Sequence, residues 1–267
     1  MRINRDKQVG DILFIVEGAK TEFEILKRIF CNILHYQYVE KRRDKPARFI
    51  NGGINSTNHI YVINTRESNI SFISDEKYLD EMYEYLINTY DLNMDNIAIF
   101  YLFDRDHDSN TDVKLIKDYI NELKDPYDNG EDKGGMLLLS YPAIESFVIS
   151  CFREHSYDIK MKLGADVKHF MGEKENQKNI QFNKINEATL IYGAKQLQEY
   201  IENNQFEWDI DNLHCLADSI FELEEELYKK EEKYRLVSLL VFAFLYLGII
   251  EPEEGDYFYK SSNIFSH

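Results

Sequence analysis

Cationic side chains are scarce in this sequence: 31 lysines and arginines stand against 48 aspartates and glutamates, a formal net charge of −17 over 267 residues. So acidic a chain repels a polyanion through its overall field. Any polynucleotide substrate must therefore meet a local basic patch, a metal ion or a basic partner protein. Cysteine is equally sparse. Cys31, Cys151 and Cys215 are odd in number, far apart and without a C-x-x-C spacing, which argues against structural zinc and a disulfide framework and fits a reducing cytoplasm. Four prolines and 12 glycines leave little material for long flexible linkers. The polar stretch Met1 to Asp11 lacks a signal-peptide core. The most apolar run, Leu236 to Ile250, falls short of the roughly 20 residues a membrane helix needs, so a buried C-terminal helix and no membrane association are expected. What is present is 44% hydrophobic residues, enough for one α/β domain and a smaller appended region.

Ile12-Leu13-Phe14-Ile15-Val16 is an unbroken apolar run closed by Glu17-Gly18, the pattern of a strand buried on both faces. Thr21 to Ile33 then sets Phe23, Leu26, Ile29, Phe30 and Ile33 at helical spacing, with Thr21 and Glu24 predicted to form a capping box. Residues 40–58 read as irregular around Asn51-Gly52-Gly53, His59 to Ile63 as a second strand and Asp75 to Tyr90 as a helix. Ile97 to Phe103 is another strand and runs into Asp104-Arg105-Asp106-His107-Asp108. A helix over about Thr111 to Leu123 follows, then a turn at Asp128-Asn129-Gly130, an apolar run from Met136 to Leu139, and a helix over roughly Ala143 to Glu154 with Pro142 at its start. The alternation predicts an α/β fold, a mostly parallel sheet flanked by helices. Beyond residue 155 only helices are expected, giving an α/β domain over 1–155 and a helical C-terminal region over 156–267. The six glutamates between Phe221 and Tyr234 read as a solvated helix face.

Acidic residues mark the ends of these elements: Glu17 after one strand, Asp104 and Asp106 after another, Glu145 at a helix start. Ligands of open α/β sheets bind outside the carboxyl ends of the strands. Carboxylates gathered there repel one another until a cation relieves them, and a donor set of hard oxygens favours Mg²⁺ or Mn²⁺ over Zn²⁺. Any one of these acids taken alone is more simply a helix cap or a loop charge; the joint pattern favours a metal site. Gly18 lets the chain turn sharply and lets a phosphate or ion approach the backbone. Asp108 and His107 read as loop residues, and His214 and Cys215, adjacent on a helix, are expected to face different ways and to share no metal. Lys41 to Arg48 carries a local charge of +4, from five basic residues and Asp44, which on charge alone suits guiding a phosphate backbone as well as it suits a solvated loop or an interface with a protein partner.

Val16-Glu17-Gly18-Ala19-Lys20-Thr21-Glu22, taken with Phe103-Asp104-Arg105-Asp106, resembles the two signature motifs of TOPRIM domains. These occur in bacterial primases, type IA and type II topoisomerases and OLD-family nucleases. The Glu-Gly-x-Lys-Thr-Glu wording and Ser140-Tyr141-Pro142-Ala143-Ile144-Glu145-Ser146 are similar to stand-alone TOPRIM proteins of phage-defence systems, the RloB-like and AbiL-type proteins. The resemblance covers roughly residues 10–155 and implies a Rossmann-like TOPRIM sheet. It also implies a Mg²⁺- or Mn²⁺-dependent endonuclease on DNA or RNA, tRNA included, acting as the toxic effector beside an ABC-type ATPase of the OLD kind. By that resemblance Glu17 is a metal ligand or general acid–base group, Asp104 and Asp106 are metal ligands, and Glu22 and Glu145 help hold a second ion. Lys20 is the nearest lysine for charge stabilisation, with Lys160, Lys162, Lys168 and Lys174 as alternatives. A homodimer is compatible with all of this. The alternatives are a non-catalytic TOPRIM-fold subunit that binds and regulates a partner ATPase, and a nucleotidyl transferase of primase type, which the lack of a zinc-binding module disfavours.

Overall fold

The computed structural model describes residues 1–18, 20–42, 46–51, 58–65, 78–90, 92, 96–108, 111–128 and 134–256. Gly52-Gly53, the middle of the basic run at Arg43-Asp44-Lys45, the predicted helix start at Asp75 and the turn at Asn129-Gly130 lie outside the described residues.

In chain order the elements begin with β1 (Arg2–Ile3), β2 (Asp11–Val16), α1 (Thr21–Lys27) prolonged by a π-helical segment (Arg28–Ile33), β3 (Gln37–Val39), β4 (Ala47–Ile50), β5 (His59–Asn64) and α2 (Tyr78–Tyr90). Next come β6 (Ile97–Asp104), α3 (Val113–Glu122), β7 (Lys124–Asp125), β8 (Gly135–Tyr141), α4 (Glu145–Ser150), β9 (Lys160–Met161) and α5 (Gly164–Gly172). The last are α6 (Glu187–Asn203), α7 (Leu213–Glu231), β10 (Tyr234–Arg235), β11 (Val237–Ser238), α8 (Leu240–Tyr246) and β12 (Ile250–Glu251). The protein is α/β, with a mixed sheet whose long central strands are parallel and helices that flank it. Two compact units interleave along the chain. The first comprises Gln8–Phe103 and Ser109–Leu137; the second comprises Met1–Lys7, Asp104–Asp108 and the chain from Leu138 on.

In the first unit β2 is the central strand. It pairs in parallel with β6, Val16 opposite Leu102, and with β5, Val16 opposite Asn64. Its residues Ile12 to Val16 are all buried, as an unbroken apolar run requires. The stretch expected to be irregular holds an antiparallel hairpin instead, β3 on β4, with β4 continuing antiparallel onto β5. The Tyr38–Phe49 cross-strand pair accounts for it. Phe49 stacks on Phe30 at 5.7 Å and Phe23 at 5.9 Å, and Phe14 lies 5.5 Å from Phe100 and 6.0 Å from Phe30. One aromatic seam thus joins sheet and helix. The predicted capping box does not form: Thr21 is already helical, Lys20 holds the cap position without a side-chain bond, and the Glu24 N–H donates to the Lys20 carbonyl at 3.0 Å.

The second unit is not purely helical. Three two-residue ladders, β1 with β12, β9 with β10, and β11 with the end of β8, tie it together. The apolar run expected as one helix divides into β11, the short buried α8 and β12. Pro142, in a cis peptide after Tyr141, precedes α4 by three residues. Between α4 and α6 there is no room for a side chain at Gly193, where a Cβ would lie 3.0 Å from the Cys151 sulfur. Among the described residues no helix is long and apolar enough to cross a membrane.

Candidate functional site

In the second unit the side chains of the acidic loop after β6 alternate between two sets of partners. Asp104 Oδ1 accepts the Ile144 N–H at 2.8 Å, just before α4. Asp106 Oδ2 accepts the Gly164 N–H at 3.0 Å, at the start of α5, and its Oδ1 accepts the Asp108 N–H at 3.1 Å. An anionic oxygen at the first turn of α5 also meets the positive end of that helix. Glu145 is buried, with Oε1 3.7 Å from the Lys168 ammonium. Among the lysines considered beyond Glu145, Lys168 is therefore the one beside it; Lys160 pairs with Glu231 and Lys162 with Glu232.

Arg105, between the two aspartates, is 0% exposed. Its Nε donates to Glu225 Oε1 at 2.7 Å, and its guanidinium lies over the rings of Phe221 at 5.9 Å and Tyr234 at 5.6 Å. The Tyr234 hydroxyl donates to the same Glu225 oxygen at 2.9 Å. His107 stacks on Tyr228 at 4.5 Å and 10°, and Tyr228 stacks on Tyr234 at 4.5 Å. The glutamates of α7 are thus not all on a solvated face. Glu222 and Glu226 are exposed, but Glu224 and Glu225 are buried. Glu224 accepts the Tyr200 hydroxyl at 2.8 Å and the Arg235 N–H at 2.9 Å. Burial raises its carboxyl above the ordinary range, against the opposing pull of those two bonds and the Arg235 charge. Burial likewise raises the Tyr234 phenol, against the nearby Arg105 charge. The sequence reading passed over Arg105 and Glu225; the available signal was the alternation itself, which turns Arg105 inward if Asp104 and Asp106 face out.

In the first unit Glu17 follows β2 directly. Its N–H donates to the Leu102 carbonyl at 3.3 Å and its carbonyl accepts the Thr65 hydroxyl at 3.3 Å. Glu22 is buried, and its Oε1 accepts the Gly18 N–H at 2.7 Å. A Cβ on Gly18 would stand 2.5 Å from one Glu22 oxygen and 2.6 Å from the other. What approaches the backbone at Gly18 is Glu22's own carboxylate. Lys20, Lys41 and Arg42 are exposed, and Arg48 is half-buried on β4. His214 and Cys215 do not face different ways as expected: the Cys215 sulfur lies 3.3 Å from His214 Nε2.

Asp104, Asp106 and Glu145 are oxygen donors of the class that Mg²⁺ and Mn²⁺ prefer. The amide bonds orient Asp104 and Asp106, much as outer partners orient metal ligands. The donor chemistry suits such an ion, but the arrangement does not make a cage. Among the described residues no group of three or more His, Cys, Asp or Glu side chains is disposed to hold a metal. Comparison with known proteins found no matching family model, no matching curated protein and no matching solved structure.

Proposed function

We propose that the chain is a Mg²⁺- or Mn²⁺-dependent phosphodiesterase of the TOPRIM kind, an endonuclease on DNA or RNA that works with an ABC-type ATPase in defence against phage. The observation that carries this reading is the parallel pairing of β2 with β6, Val16 opposite Leu102, with each strand leading at its carboxyl end into an acidic motif, Glu17-Gly18 and Asp104-Arg105-Asp106. That end of a parallel sheet is where α/β proteins bind ligands. Glu17, Glu22, Asp104, Asp106 and Glu145 are the proposed metal ligands, with Glu17 and Lys20 as the proposed catalytic groups. A divalent ion would supply Lewis-acid stabilisation and an activated water.

The test incubates the purified protein with plasmid and with total RNA in Mg²⁺ and in Mn²⁺, with and without an ABC-type ATPase encoded beside it. Cleavage that is lost in Asp104→Asn and Glu17→Gln supports the proposal. Intact substrates in every mixture, together with cellular toxicity of Glu17→Ala equal to wild type, defeat it. A second reading has its own support: Asp104 and Asp106 each anchor a backbone amide, Ile144 and Gly164, a purely structural task. It makes the chain a non-catalytic subunit that binds and regulates a partner ATPase. Calorimetric titration with Mg²⁺ separates the two, since such a subunit has no need of the ion.

A further inference from the structure

The four residues Asp104 to His107 divide their side chains between two jobs. Asp104 and Asp106 take the amides of Ile144 and Gly164. Arg105 and His107 go to α7 and β10: Arg105 to Glu225, Phe221 and Tyr234, and His107 to Tyr228. Because Asp104 and Asp106 hold one set of partners and Arg105, between them, holds another, a movement of the loop that takes the aspartates off their amides also pulls on Arg105 in its pocket. That pocket resists movement. A planar guanidinium bonded through Nε and lying against two aromatic rings has few alternative poses. Glu225 is itself fixed by the Tyr234 hydroxyl, and the Tyr228 ring bridges Tyr234 to His107. A buried ion pair of this sort is weak evidence for net stability, since desolvation offsets its attraction. Orientation is the better account of it.

We infer that Arg105 is a positioning residue, and that α7, through the Arg105–Glu225 pair and the His107–Tyr228 stack, sets the pose in which Asp104 and Asp106 are presented. Treating those aspartates as site residues rests on the function proposed above; the mechanical coupling does not.

The experiment must separate positioning from stabilisation. The triple variant Arg105→Met, Glu225→Leu, Tyr234→Phe replaces the whole polar cluster with apolar groups of similar size, a change that is often neutral or stabilising. The readout is hydrogen exchange at the amides of Ile144 and Gly164. Gly164 opens α5 and has no carbonyl of its own helix to bond, so its protection reports Asp106 directly, as that of Ile144 reports Asp104. In the triple variant, with its urea midpoint at or above that of wild type, both amides should exchange at least about tenfold faster while those of α6 keep their rates. A folded variant with unchanged exchange at both amides overturns the inference and leaves the pair merely stabilising. If the triple variant does not fold, Tyr228→Leu decides by the same criterion. It removes the Tyr228 stacks on His107 and Tyr234 while leaving the Arg105–Glu225 pair in place, and should accelerate both amides about threefold; no acceleration overturns the inference. Absence of cleavage and of cation binding in the wild type would remove the functional proposal and leave this readout standing. Unchanged amides in a cleaving enzyme would remove the inference alone.

Discussion

Alanine at position 18 puts a measurable load on the turn after β2. The new Cβ would meet Glu22 Oε2 at 2.5 Å, Oε1 at 2.6 Å and Cδ at 2.9 Å, so the carboxylate has to leave. It then gives up the 2.7 Å bond from the Gly18 N–H, a bond to a charged acceptor worth roughly 1.5–3 kcal/mol. A smaller gain offsets this. The backbone at Gly18 is outside the left-handed region, and where alanine is tolerated it restricts the unfolded chain by about 0.4–1 kcal/mol. The difference predicts a destabilisation of about 0.5–2.6 kcal/mol. The partner experiment is Glu22→Ala, which empties the space the new methyl would enter. In that background Gly18→Ala should be neutral or slightly stabilising, so the two changes couple by about as much as the single one costs. Urea unfolding of the four proteins, followed by circular dichroism, gives the cycle. Equal costs of Gly18→Ala in both backgrounds, or a cost below about 0.5 kcal/mol in the wild type, would refute the assignment of Glu22 to the turn.

Three further outcomes follow from burial and charge. Glu224 has its carboxyl raised in the folded state, chiefly by burial, so the folded protein holds that proton more tightly than the unfolded chain. Its contribution is complete below the unfolded value of about 4.3 and is lost as pH rises through the raised folded value. Glu224→Gln should therefore flatten the decline of the urea midpoint above about pH 4.3, read from the emission of Trp208, which is buried in the same unit; an unchanged slope counts against it. Among the cysteines, burial pushes the Cys151 thiol far up while Cys215 is exposed. A thiol reagent at pH 8 should label Cys215 at once and Cys151 only on unfolding, and rapid labelling of native Cys151 would contradict the packing of α4 on α6. Lys168→Met leaves the buried Glu145 without its nearby ammonium. If Glu145 takes part in cation binding, a Mn²⁺ titration followed by electron paramagnetic resonance should show tighter binding than in wild type; unchanged or weaker binding excludes Glu145 as a ligand.

Much of the central architecture was legible because it is local. The run Ile12 to Val16 has no polar residue to turn outward and becomes a strand with no exposed face. The spacing of Leu26, Ile29, Phe30 and Ile33 puts all four in the core, although the second half of that helix is π-helical. The β3–β4 hairpin was missed because strands of three and four residues are too short to show a periodicity, and they owe their place to the Tyr38–Phe49 pairing. Burial of Glu224 and Glu225 was missed for a related reason. Six glutamates in one segment describe a solvated face until a cation arrives from elsewhere, and Arg105 stands 120 residues away in sequence. The interleaving of the two units, which assigns Asp104–Asp108 to one and the rest of β6 to the other, has no local signature at all.

The same distant pair bears on how the acidic loop manages its charge. Asp104, Asp106 and Asp108 crowd five residues, and the natural candidate for neutralising them is the arginine among them. The Nε of Arg105 is held by Glu225, and Lys168 faces Glu145. Compensation at Asp104 and Asp106 thus includes neutral donors, the amides of Ile144 and Gly164, which orient a carboxylate without cancelling its charge. An asparagine or a serine oxygen would cap the same amides without the repulsion between neighbouring acids. The carboxylates are well suited to receiving a cation. The choice of aspartate at both positions is what the proposed cation site asks for, and Asp104→Asn with Asp106→Asn separates it from anchoring, since asparagine caps the same amides.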